Sequence, residues 1–137
     1  METVRYLYHG SATPNIAHFA PRLARGVGPK KDKLVAVYAT HRKELAIAFA
    51  LPLRPNAEGH LAWRLALPED FAQHHPLVIL EAGALDLECH GYLYRFSAES
   101  FEPIDEWQWV ATQPVTPLAV ELVNPTRYRD WVKCSVK

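Results

Sequence analysis

At 137 residues the chain has the length of one compact domain. Apolar residues make up 49% and charged residues 22%, which excludes a wholly disordered, collagen-like or coiled-coil chain. Lys plus Arg is 15 and Asp plus Glu is 15, so the net charge is zero; a generally basic, phosphate-tracking surface is excluded, although a local basic patch is not.

In chain order, the β-branched and aromatic residues 4–8 predict a short strand that ends at a turn over His9, Gly10 and Ser11. The stretch 12–33 carries three prolines and two glycines and ends in Lys30-Lys31-Asp32-Lys33, which reads as a long binding loop. Residues 34–39 read as a buried strand. Thr40 is placed to cap a helix over 41–51, where Leu45, Ala46, Phe49 and Ala50 recur at helical spacing and Pro52 and Pro55 give the stop.

Alternation over 60–67 predicts a half-buried strand, with Leu61, Trp63, Leu65 and Leu67 on one face. Pro68-Glu69-Asp70 opens a turn or short helix, and 77–81 and 91–96 read as further strands. A strand starting at Glu106 puts Trp107 and Trp109 toward the core, and Glu106, Gln108 and Val110 away from it. A last strand is expected over 115–123 and a helix over 125–133 with proline at its start. Strands outnumber helices, and no internal repeat or domain boundary is visible, so the expectation is a single α+β domain over 1–137.

Cys89 and Cys134 are too few for a disulfide scaffold and lack zinc-type spacing. The remaining histidines do not pair with Cys or carboxylates as metal ligands would, so no metal is expected. No secretory signal is recognised at the N-terminus. Prolines interrupt every apolar run before membrane length. A soluble, cytoplasmic protein is expected.

Three polar groups stand on or beside strands: His9, Tyr38 and Glu106. Leu7-Tyr8-His9-Gly10-Ser11 resembles the first motif of ADP-ribosyltransferases of the diphtheria-toxin and poly(ADP-ribose)-polymerase type. Val37-Tyr38-Ala39-Thr40, with a helix reaching Phe49, resembles their second, and Asp105-Glu106-Trp107-Gln108-Trp109-Val110 their third. The three occur in the family's order. The resemblance implies a fold of two small antiparallel or mixed sheets around a central cleft, with a few short helices. It implies NAD as substrate and no metal.

Residue by residue, the resemblance implies that His9 bonds a ribose hydroxyl of NAD and that Gly10 lets its backbone approach the nicotinamide carboxamide, with Ser11 beside them. Tyr38 and Phe49 would sandwich the nicotinamide ring. Arg22 and Arg25, in the following loop, would contact the diphosphate. Glu106 would hold the 2′-hydroxyl of the nicotinamide ribose and face the oxocarbenium-like charge that forms as the glycosidic bond breaks. Asp105 is the alternative carboxylate, one position away.

Ala46 stands where the polymerase branch has a hydroxyl residue, and Ile104 where arginine-modifying relatives have Glu or Gln. The resemblance therefore implies transfer of ADP-ribose to a macromolecular acceptor, protein or nucleic acid, and away from arginine and from polymer elongation. It suits a toxin or defence effector, one with an inhibitory partner protein, and the segment 97–105 would face the acceptor. The alternatives are an RNA 2′-phosphotransferase-like enzyme, which zero net charge disfavours, and a degenerate NAD- or ADP-ribose-binding or interaction module.

Overall fold

The computed structural model describes residues 4–23, 35–68 and 74–134. Twelve short strands, one α-helix and two 3-10 segments alternate along these residues, an α+β arrangement. The first sheet has the order β1 (Tyr6–Ser11), β8 (Gly91–Ser97), β11 (Ala119–Val123), all antiparallel. The second joins β2 (Arg22–Leu23), β3 (Val35–Ala39), β10 (Trp109–Ala111) and β9 (Glu102–Pro103). A third carries β12 (Val132–Cys134), β6 (Leu77–Ala82) and β5 (Ala62–Ala66), and β4 (Leu53–Arg54) pairs with β7 (Ala84–Leu85).

Alternation in β1 and β8 assigns the two sides of the first sheet. Leu7, Tyr94 and Phe96 pack on one side with Val37, Ala39 and Ala111 of the second sheet. On the other side Leu93 joins α1 (Lys43–Ala50), Val78 and the third sheet's Trp63 and Leu65. The first sheet is thus the middle layer, with an apolar core on each face.

The helix is held by packing, since eight residues are too few to be stable alone. It is shorter than the expected 41–51. Arg42 is its N-cap and has no side-chain cap bond; the Thr40 hydroxyl instead accepts the Arg42 amide at 3.1 Å, fixing the turn that leads in. Small residues let it lie directly on the sheet. A Cβ at Gly10 would fall 1.9 Å from the Ala46 carbonyl oxygen, and one at Gly91 would fall 1.8 Å from that of Ala50. Ala46 and Ala50, one helical turn apart, thus form the stripe that rides on the two glycines.

This contact corrects the expected end of the first strand. His9, Gly10 and Ser11 are not a turn; they lie inside β1, opposite Tyr94, Leu93 and Tyr92. The glycine that reads as a breaker is a point of close helix approach.

Other expectations are trimmed. The strand over 115–123 is reduced to Ala119–Val123, and Val115 makes an isolated bridge to Phe19. The helix expected over 125–133 is replaced by two short 3-10 turns within Pro125–Trp131, kinked at Tyr128 (φ −118°, ψ 21°) and followed by β12 parallel to β6. His75 stacks on Trp131 with ring centres 4.7 Å apart, fastening this segment to the third sheet. The basic run at 30–33 and the turn at Glu69-Asp70 lie outside the described residues.

Candidate functional site

The three motif segments lie on neighbouring strands. A bridge joins Tyr8 of β1 to Thr40 at the end of β3, with bonds of 2.8 and 2.9 Å in the two directions. On its other edge β3 pairs with β10, Val110 opposite Tyr38 and Trp109 opposite Ala39. The chain leading into β10 therefore passes the end of β3 at which β1 is bridged.

His9 and Tyr38 are brought into direct contact. The half-buried His9 ring donates from Nδ1 to the Tyr38 carbonyl at 2.7 Å. A carbonyl only accepts, so Nδ1 carries a proton. Phe19 presses edge-on against the imidazole at 4.9 Å between ring centres, which limits its rotation. The ring thus has a set orientation. The Tyr38 side chain lies on the face of β3 shared with Val110, opposite the face that carries Val37 and Ala39 into the core.

Glu106 is not on a strand, which corrects the expected start of β10. Residues 105–107 form a turn, and β10 begins at Trp109. The cause is Asp105: its Oδ1 accepts the amides of Trp107 and Gln108, both at 2.8 Å, and its Oδ2 accepts from Gln108 Nε2 at 2.8 Å. An Asp side chain bonding two residues onward builds a turn in place of a ladder. Gln108 is consequently buried rather than facing away from the core, and so is Val110. Asp105 spends both oxygens on its own turn, whereas Glu106 is exposed and makes no hydrogen bond or ion pair among the described residues. The Arg42 guanidinium lies 5.9 Å from the centre of the Trp107 ring, tying the turn to the residues just ahead of α1.

The other candidates are placed separately. Gly10 faces the helix, so its missing side chain is already accounted for by Ala46. Ser11 Oγ accepts the Thr13 amide at 3.0 Å. Phe49 is half-buried on α1 and meets the Trp63 ring at 6.0 Å in an edge-to-face contact. Arg22 contributes backbone to β2, opposite Ala36, and Arg25 lies outside the described residues. Ala46, where a hydroxyl would bond a carboxamide, is buried in the helix–sheet contact.

One titratable group here is not among the sequence candidates. His41 sits between the β1–β3 bridge and α1, with Nδ1 buried and unbonded among the described residues. Burial, reinforced by the neighbouring Arg42 charge, lowers its pKa below the usual 6.5. The unfolded chain then binds a proton that the folded chain resists, so His41 costs stability as pH falls below about 6.5. Thermal melts from pH 7.5 to 5 are expected to show a smaller loss of Tm for His41→Asn than for the native chain; equal losses would remove His41 from the account.

Among the described residues no group of three or more His, Cys, Asp or Glu side chains is placed to hold a metal, and no helix is long and apolar enough to cross a membrane. No family model matches the chain, and none of the curated proteins or solved structures compared with it is a match.

Proposed function

We propose that the chain binds NAD where β1, β3 and the turn before β10 meet, releases nicotinamide, and passes ADP-ribose to a macromolecular acceptor. The observation that carries this reading is the adjacency of the three motif segments, with His9 bonded to the backbone of Tyr38 and Glu106 exposed on the next strand's lead-in. His9, held by the Tyr38 carbonyl, is the residue assigned to a ribose hydroxyl. Tyr38 and Phe49 are the aromatic surfaces for the nicotinamide ring, and the finer fold of two sheets around a cleft belongs to the same proposal.

The chemistry asks little of the protein. The bond from ribose C1′ to the pyridinium nitrogen breaks and its electron pair leaves with nicotinamide, which departs neutral without a general acid. The positive charge passes to the ribose ring, where a fixed carboxylate stabilises it. An acceptor oxygen, nitrogen or water then bonds to C1′ and loses its proton to solvent. Glu106 is the carboxylate in that role because Asp105 is committed to the turn.

A binding module without turnover is the second reading, favoured by the buried methyl of Ala46 in place of a carboxamide ligand. One assay separates the two. The protein is incubated with NAD carrying a labelled adenylate, with and without cell extract, while nicotinamide release and label on macromolecules are measured. The proposal expects both signals, and their loss in His9→Ala. NAD binding with neither signal would favour the module, and no binding would overturn both.

A further inference from the structure

We propose that the outer edge of β11 is a self-association surface, joining two copies of this chain through antiparallel β11–β11 pairing. β11 is the edge strand of the first sheet, and among the described residues no strand pairs with its outer side. Val120 and Leu122 are 54% and 65% exposed, and Leu118, just ahead of the strand, is 56% exposed. A bare strand edge with an apolar stripe is an adhesive surface that proteins cover or blunt. Here the residues along it complement themselves.

Antiparallel pairing of a strand with its own copy is fixed by which residue meets its twin. With Val120 opposite Val120, Leu118 meets Leu122 of the other copy, and the apolar side chains lie on one face. That face also carries Tyr92 and Tyr94, the partners of Leu122 and Val120 within the sheet. Leu118 lines a cavity of about 180 Å3 together with Phe101 and Pro114, so the most exposed leucine of one copy is delivered to a cavity of the other. Centring on Glu121 would set two carboxylates directly opposite each other, which is unfavourable. Centring on Ala119 would pair Pro117, which has no amide to donate, against Glu121.

Charge favours the same register. On the helix-side face Glu121 comes to lie opposite Ala119 of the second copy, whose partner on β8 is the exposed Arg95. Glu121 and that Arg95 stand two strand spacings apart, about 10 Å, with only a methyl group between them. The Arg95 guanidinium rests 4.8 Å from the centre of the Tyr6 ring on β1 and turns from there toward β11 to meet Glu121 over that methyl, and symmetry makes the pair twice. Glu121 already accepts from Lys43 at 3.2 Å, and a carboxylate has acceptor capacity for both partners. Six strands, β1-β8-β11 and their symmetry mates, then form one sheet with an isologous contact at its centre.

Sedimentation velocity of the purified full chain at tens of micromolar tests this, with circular dichroism to check the fold. The native chain is expected at twice the monomer mass. Val120→Lys and Val120→Glu, each placing like charges face to face on an exposed position, are each expected as folded monomers. Their equimolar mixture is expected to recover the dimer, because only this register sets position 120 against itself. A native chain that stays monomeric, a Val120→Lys protein that remains a dimer, or a mixture that stays monomeric would each overturn the proposal.

Discussion

Gly10→Ala is expected to be among the most destabilising single-atom changes in the chain. The added methyl carbon falls 1.9 Å from the Ala46 carbonyl oxygen and 2.7 Å from the Ala50 amide nitrogen. Both are backbone atoms, so no side chain can swing aside, and the helix must lift from the sheet. Overpacking of this kind costs about 3 kcal/mol or more, against a total stability of about 5–15 kcal/mol for a domain. The urea midpoint should fall accordingly, and the Phe49–Trp63 contact carried by α1 should loosen, with a change in tryptophan emission. Gly59→Ala is the control. Gly59 has φ +84° but open space around the missing Cβ, so only the backbone cost of about 1–2 kcal/mol applies. Equal losses at the two sites would mean that the helix does not rest on Gly10.

Glu106→Gln is expected to slow nicotinamide release about 10²–10³-fold, the range for loss of one preorganised electrostatic partner, while leaving the fold intact because Glu106 is exposed. Asp105→Asn separates this role from that of its neighbour. Its Oδ1 keeps the bonds to the Trp107 and Gln108 amides, and the Gln108 amide can rotate to present its oxygen to the new NH2 group. Turn and turnover should both survive. Asp105→Ala removes the acceptors and strands the buried Gln108, costing about 1–3 kcal/mol and misplacing Glu106. Loss of turnover in Asp105→Asn equal to that in Glu106→Gln would move the chemistry to Asp105.

The strands legible in the sequence are those whose pattern records burial. Residues 77–81 and 91–96 alternate or run apolar because β6 and β8 are central strands, and the expected spans stop one residue short of each strand's C-terminal end. What the sequence conceals has local causes. Gly10 has the same one-letter signal whether it makes a turn or receives a helix, and only the position of Ala46 distinguishes them. β12 has three residues and pairs parallel with β6 from far along the chain, a contact no local period reports.

The turn at 105–107 does carry a signal. Asp at the first position of a turn is among the commonest placements, but two flanking tryptophans at strand spacing outweigh it. The candidate site is written in the sequence only as a set of residue types and as an order. The His9–Tyr38 contact is not, because it runs to a backbone carbonyl, which every residue possesses.

Each motif position also serves the fold. Gly10 seats α1, Ser11 shapes the exit from β1, and Asp105 aims the segment that carries Glu106. Under the proposed function, substitutions that break these contacts, such as Gly10→Ala and Asp105→Ala, are expected to lower turnover through geometry. Glu106 is the position at which turnover and stability should come apart, and that separation distinguishes an NAD-cleaving site from a structural one.

The most direct test of an NAD site at this junction is a crystal structure of the Glu106→Gln protein with NAD, in which slow turnover preserves the dinucleotide. The nicotinamide ring is expected beside Tyr38 and Phe49, with a ribose hydroxyl on the His9 ring and the substituted side chain at position 106 against the nicotinamide ribose. NAD bound elsewhere, for example in the cavity beside Phe101, or a junction left unoccupied at saturating NAD, would contradict it.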